Sequence, residues 1–148
     1  MTFVQYPVAA ISTFLWIGFV GAISFMEAWL KFRAPGITLP LGLGIGKLVF
    51  NALNKAELAF AMAIVVNLLL SGVIWKWKHF LLLIPIVLLL IQTIWLLPAL
   101  DTRADLHIQA LPVPPSNLHF YYVGIEVVKV ICLFIFGITL FKPINSGS

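Results

Sequence analysis

Charged residues are scarce in this chain of 148 residues, at 9% of the sequence, against about a quarter in an average soluble protein. Hydrophobic residues make up 62%. A folded surface that faces water needs many more polar side chains than this, so the composition excludes a water-soluble fold. It favours an integral membrane protein whose outer surface contacts the lipid bilayer.

Cysteine is almost absent as well. The single thiol, Cys132, lies inside the last apolar stretch. The chain therefore has no internal disulfide, no CxxC redox pair and no cage of thiolates for a metal ion. This excludes disulfide exchange of the kind that membrane thiol oxidoreductases perform.

Runs of basic residues are also missing. Nine Lys and Arg outnumber five Asp and Glu, for a net charge of +4, but the cations occur singly or in pairs. Such a distribution does not follow a phosphate backbone, so we expect no nucleic-acid partner. The amino terminus, MTFVQYPVAA, has no Lys or Arg for a signal peptide, and we interpret the apolar run that follows as a retained first span.

Four apolar stretches are long enough to cross a bilayer, whose hydrocarbon core of about 30 Å needs about 20 helical residues. The sequence therefore predicts an all-α fold, an integral membrane four-helix bundle that forms a single domain over residues 1–148. An even number of spans places both termini on the same side of the membrane. The predicted spans are about 8–30, 56–75, 80–97 and 118–140.

The segment before the second span, LGLGIGKLVFNALNKAEL, has a different character. It places polar side chains at helical spacing, namely Lys47, Asn51, Asn54 and Lys55. This pattern predicts an amphipathic helical segment at the membrane interface that leads into the second helix. Its spaced glycines, Gly42 and Gly46, indicate close packing against a neighbouring helix.

Proline and polar residues mark the later boundaries. Pro98 is expected to end the third span, and residues 101–117 then form the longest polar segment, a loop of the length that is often functional or mobile. Ser116 and Asn117 are suitable caps for the fourth helix.

The fourth span carries polar side chains on one helix face, at intervals of three, four and three residues: His119, Tyr122, Glu126 and Lys129. A charge at bilayer depth costs about 2.5 kcal/mol or more, so Glu126 and Lys129 should face the bundle interior and have partners. They can pair with each other. The alternative interpretation is that Glu126 and Lys129 form a purely structural ion pair, and that His119 and Tyr122 lie at the membrane interface.

All five acidic residues are expected in the half of the protein near one membrane face, together with two of the three histidines. We predict a ligand-binding polar cluster there, formed by Glu27, Glu57, His119, Tyr122, Glu126 and Lys129. The same residue types can bind a metal ion, and the candidate ligands are His107, His119, Asp101 and Asp105. No pair of them has a metal-binding spacing such as HExxH.

Three functional hypotheses remain open at this point. The leading one is a protein that binds or transports a small ligand or ion at the polar cluster. The second is a membrane-embedded enzyme in which His119 and a carboxylate act as acid and base or hold a metal. The third is a structural or assembly subunit, as a homo-oligomer or with a partner in a membrane complex. The sequence specifies no cofactor, and in a bacterial cell we expect the inner (cytoplasmic) membrane.

The order of these features resembles the four-helix membrane family typified by transmembrane protein 205. The residues that carry the resemblance are Pro35 in the basic loop KFRAPGITLP (Lys31 to Pro40), Glu57 in LVFNALNKAEL, and His119 in SNLHFYY. Glu126 and Lys129 are not part of that pattern. The resemblance implies the fold and residence in a membrane, and it implies no activity.

Overall fold

Long helices make up almost all of the computed structural model, which describes residues 2–72 and 77–143. Within these ranges four helices are long and apolar enough to cross a membrane. The protein is therefore an all-α, multi-pass membrane bundle, as predicted. Its helices are α1 (Pro7–Arg33), α2 (Leu39–Leu70), α3 (the consecutive segments Trp77–Ile91, Gln92–Leu96 and Leu97–Ile108) and α4 (Leu118–Thr139).

Helix α1 begins at Pro7, where proline is tolerated because the first N–H groups of a helix have no partner within it. The backbone N–H of Ala9 donates a 3.1 Å hydrogen bond to Oδ1 of Asn67 on α2. Asn67, near the end of α2, thus satisfies one of these unpaired groups. Further along, residues Gly21–Glu27 form a π-helical segment.

Helix α2 begins after Thr38, whose hydroxyl accepts a hydrogen bond from the N–H of Leu41. The amphipathic segment and the second span form one continuous helix. It ends at Leu70, where Ser71 and Gly72 form a turn and Gly72 takes a φ of +61°. The predicted end of this span, at 75, lies outside the described residues.

The start of α2 packs closely against the end of α1. A Cβ atom added to Gly42 would overlap the ring of Phe32, and one added to Gly46 would lie 3.1 Å from Nζ of Lys31. The predicted close packing of these glycines is confirmed. Because the two helices lie this close, side chains from both line the same cavity, which is described below.

The prediction that Pro98 ends the third span was wrong. Helix α3 passes through Pro98 and continues to Ile108, so only residues 109–117 connect it to α4. A π-helical segment, Gln92–Leu96, precedes the proline, and Pro98 lies in the first turn of the α-helical segment that follows. The N–H of Leu97 bonds to the carbonyl of Gln92, five residues earlier, so the backbone hydrogen bonds change register just before the proline and the helix continues through it.

Helix α4 begins at Leu118, whose N–H donates to the hydroxyl of Ser116 at 3.2 Å. Asn117 occupies the N-cap position without a side-chain hydrogen bond. Of the two predicted caps, Ser116 therefore makes the contact.

Two short strands join the ends of the described chain. Strand β1 (Thr2–Val4) pairs antiparallel with β2 (Phe141–Pro143). Residues 2–4 and 141–143 thus lie together at one end of the bundle, the arrangement expected for an even number of spans. Each helix packs against two neighbours, in the order α1, α2, α3, α4 and back to α1, and the core between them contains Trp16, Ile64, Leu133 and Phe136, all fully buried.

Candidate functional site

Three charged side chains meet in the centre of the bundle: Glu57 of α2, and Glu126 and Lys129 of α4. All three are 0% exposed. The Nζ atom of Lys129 donates to Oε2 of Glu57 and lies 3.3 Å from Oε1 of Glu126. Glu126 and Lys129 are three residues apart on one helix and share a face, as the spacing predicted. We call these three residues the ion cluster.

The other two helices each contribute one hydrogen-bond donor to the ion cluster. Nε1 of Trp16 on α1 donates to Oε2 of Glu57 at 2.6 Å. Nε2 of Gln92, the first residue of the π-helical segment in α3, donates to Oε1 of Glu126 at 2.8 Å. Every helix of the bundle therefore takes part in one buried polar network.

A cavity of about 270 Å³ opens between all four helices at the end of the bundle away from the β1–β2 pair. The end of α1, the start of α2, the end of α3 and the start of α4 supply its walls. Its polar lining includes three cations and two histidines: Lys31, Lys47, Arg103, His107 and His119.

The base of the cavity is aromatic. The ring of Phe50 contacts the ring of Tyr122 edge to face, with centroids 5.3 Å apart, and Nζ of Lys31 lies 5.4 Å from the Phe50 centroid. Tyr122 is buried and precedes Glu126 by one turn of α4. Tyr122 thus lines the cavity and lies one helical turn from Glu126 of the ion cluster.

Two of the cavity cations are already paired with carboxylates. Nζ of Lys47 lies 2.6 Å from Oδ2 of Asp105, and Nζ of Lys31 lies 3.2 Å from Oε2 of Glu27. Arg103 differs, since it donates to the backbone carbonyl of Pro114 at 2.6 Å. A guanidinium has five N–H donors, so Arg103 keeps donors for a further acceptor.

The sequence placed six residues in a single cluster near one membrane face, and the structure separates them into two levels. His119 and Tyr122 line the cavity, while Glu57, Glu126 and Lys129 form the deeper ion cluster. The reason is the helical rise of 1.5 Å per residue, which places Glu126 about 10 Å beyond His119 along α4. Glu27 lies beside the cavity, paired with Lys31.

Sequence reasoning missed Trp16 and Gln92 in the network and Lys47 and Arg103 in the cavity. For two of them, the sequence contained an indication that they are unusual at their positions. Gln92 is an amide within a run of Leu and Ile, and Trp16 lies in the middle of a span although tryptophan prefers the membrane interfaces. Arg103 was missed because its segment was predicted to be a loop.

The four candidate metal ligands do not come together as a metal site. Across residues 2–72 and 77–143, no group of three or more His, Cys, Asp or Glu side chains is arranged to hold a metal ion. Asp105 is bound to Lys47, and Asp101 accepts a 2.8 Å hydrogen bond from Asn51. His107 and His119 face the cavity.

Comparison of the chain with family models, with curated proteins and with solved structures finds no match. The resemblance to the family of transmembrane protein 205 stays a prediction from the layout of the sequence. Function is therefore inferred from the geometry of the cavity and of the ion cluster.

Proposed function

We propose that the protein binds a small amphipathic ligand with an anionic head group in the cavity at one end of the bundle. The observation that carries the proposal is the lining of this cavity, where three cations and two histidines lie above an apolar, aromatic base. One lining residue, Asp101, is a carboxylate. Because Glu27 and Asp105 pair with Lys31 and Lys47, Arg103 is the lining cation that forms no ion pair within the described part of the chain, and it is the one available to an anionic head group.

Arg103 is the best candidate to hold the head group. Its planar guanidinium can form two parallel hydrogen bonds with a carboxylate or phosphate. Lys31 and Lys47 are already paired with Glu27 and Asp105, so they add little net charge at the cavity. His107 and His119 supply further hydrogen-bond donors or acceptors.

The apolar part of the ligand has a matching surface. Phe32, Phe50, Leu97 and Leu100 line the cavity below and beside its polar groups. The volume of about 270 Å³ is close to the lower end of the range of about 300–1,000 Å³ that is usual for ligand pockets. This favours a head group with a short apolar chain, rather than a whole membrane lipid.

The test is binding of decyl phosphate to the purified protein in a mild detergent, followed by isothermal titration calorimetry and native mass spectrometry. Decanol, which has the same chain and no charge, is the matched ligand control. We expect saturable binding of one decyl phosphate per protein and much weaker binding of decanol.

Two variants locate the site. Arg103→Gln removes the guanidinium and should weaken decyl phosphate binding about tenfold, the loss of one good charged contact. Lys55→Gln removes an exposed cation of α2 that does not line the cavity and should bind as the wild type does. Equal affinity for decanol, or equal effects of the two variants, would disprove a head-group site at Arg103.

The cellular setting is part of the same proposal. Large apolar side chains on the outside of the helices, such as Leu48, Met62, Ile94 and Phe120, support contact with the lipid bilayer, a further copy or a partner subunit. In a bacterium the protein would lie in the inner membrane, because single-chain proteins that span the outer membrane are β-barrels. Membership of the family of transmembrane protein 205 is proposed on layout alone.

A further inference from the structure

The ion cluster contains one more negative than positive formal charge. Glu57 and Glu126 contribute two carboxylates, and Lys129 contributes one ammonium group. All three side chains are 0% exposed. A net charge in the interior of a membrane bundle is strongly unfavourable, because water does not solvate it there.

Among the residues that the structure describes, no second cation contacts the cluster from the helices that surround it. The side chains that α1 and α3 direct at it are the neutral Trp16 and Gln92. On α2, Asn54 donates to Thr93 instead, and on α4 the neighbouring titratable group is the phenol of Tyr122, neutral in its ordinary form.

Lys55 on α2 is exposed, and the cations that line the cavity have their own partners there. Lys31 is bound to Glu27, Lys47 to Asp105, and Arg103 to the carbonyl of Pro114. The charge of the cluster is therefore not balanced from the cavity side either.

Hydrogen-bond geometry identifies what is missing. Oε1 of Glu57 and Oε2 of Glu126 are buried, and neither has a hydrogen-bond partner among the described residues. Oε1 of Gln92, an acceptor, is also without one. The phenol of Tyr122 interacts with Glu126 but carries no charge, so the cluster keeps its charge of −1 and has spare acceptors. A protonated carboxyl group supplies one O–H donor, so a single proton cancels the charge and adds a donor to the cluster.

We propose that Glu57, Glu126 and Lys129 form a proton-binding site that takes up one proton from water and releases it again. On uptake, an O–H bond forms on an oxygen of one of the two carboxylates, and the charge of the cluster changes from −1 to zero. The two carboxyl groups share the bound proton as one coupled unit, since each contacts the same ammonium group.

Exchange with water takes place from the cavity side. Tyr122 lines the cavity and lies one turn before Glu126. It packs with Leu96 and Leu97 in a small buried cluster between the two levels. The proton site does not depend on the identity of the cavity ligand. It needs only the ion cluster and water in the cavity, and it can be measured on the protein without any ligand.

Infrared spectroscopy of the purified protein in detergent tests the proposal, because the C=O stretch of a protonated carboxyl is resolved from carboxylate bands. We expect the wild type to show one protonated carboxyl per molecule at neutral pH, where exposed Asp and Glu are ionised. The band should shift in D₂O and disappear reversibly as the pH is raised. A wild type without such a band at any pH above the ordinary range for carboxyl groups overturns the proposal.

Isosteric variants assign the band. In Glu57→Gln or Glu126→Gln, one carboxylate remains for one ammonium group, the pair is neutral, and the band should be lost at neutral pH. The matched control is Glu27→Gln, which removes a carboxyl outside the cluster and should leave the band unchanged. A band that survives in either folded cluster variant, or that is lost in the control, contradicts the assignment. Circular dichroism verifies that each variant is folded. If a variant does not fold, the measurement on the wild type still decides whether the ion cluster binds a proton.

Discussion

Nε1 of Trp16 lies 2.6 Å from Oε2 of Glu57, and the same carboxylate oxygen accepts a hydrogen bond from Lys129. One atom of α2 thus has donors from α1 and α4. The other oxygen of Glu57 has no hydrogen-bond partner among the described residues, so these two contacts supply the hydrogen bonds that stabilise the buried carboxylate. Loss of either donor leaves a buried carboxylate that is less well satisfied.

Trp16→Phe should destabilise the fold by about 1–3 kcal/mol. The ring remains large and apolar, but the N–H that reaches Glu57 is lost, and a buried acceptor without its donor carries that cost. Denaturation in mixed micelles with increasing SDS, followed by circular dichroism, gives the free energy of unfolding. Trp95→Phe is the control, since Trp95 is 56% exposed; an equal loss of stability in both variants would contradict the role of the hydrogen bond.

Lys129→Met should be the most damaging single substitution in the cluster. It leaves two buried carboxyl groups without their cation, and removal of one partner of a buried ion pair costs about 3–5 kcal/mol. The double variant Lys129→Met/Glu57→Gln should lose less stability than the sum of its single variants, because the two residues interact directly. Additive effects in the same SDS assay would rule out a direct coupling.

The four spans could be predicted because each apolar run is long enough to cross the bilayer. The continuation of α3 beyond Pro98 could not be predicted from the sequence. A proline after an apolar run normally indicates the end of a helix, and the sequence gives no separate sign of the π-helical segment Gln92–Leu96 that precedes it. As a result Asp101, Asp105 and His107 were assigned to a loop, although they lie on a helix that lines the cavity.

Gly42→Ala should destabilise the junction between α1 and α2 by about 1–3 kcal/mol, the usual range for overpacking. The added methyl group overlaps the ring of Phe32, which lines the cavity, so decyl phosphate binding should weaken as well. Thermal denaturation and calorimetry measure the two effects.

Gly124→Ala is the control for this substitution. Nothing lies within 4 Å of the Cβ that alanine would add at Gly124 on α4, and alanine is the better helix former by about 1 kcal/mol. We expect unchanged or higher stability. If both alanine variants behaved alike, steric overlap at Gly42 would not be the cause.

Asn67→Leu should loosen the start of α1. The Oδ1 atom that accepts from the N–H of Ala9 is lost, and removal of a capping acceptor costs about 1 kcal/mol. Hydrogen–deuterium exchange should become faster at the first turn of α1 and stay unchanged at the first turn of α4, where Ser116 makes the contact. Uniformly faster exchange would instead indicate a general loss of packing.

The candidate site could be predicted in its residue types and only partly in its arrangement. The spacing of Glu126 and Lys129 was sufficient to predict a buried pair, because both lie on one helix. Glu57 as the second partner of Lys129 depends on the packing of α2 against α4, and sequence spacing does not report contacts between helices. The contribution of Arg103 depends in addition on the unexpected extension of α3.

The separation of Glu57 and Lys129 by 72 positions also has a consequence for biogenesis. At roughly 5–20 residues per second, the ribosome makes Lys129 several seconds after Glu57. During that interval α2 enters the membrane with a carboxyl group whose cation does not yet exist. The neutral, protonated form of Glu57 is the one that lipid tolerates best, so insertion should favour it until α4 arrives.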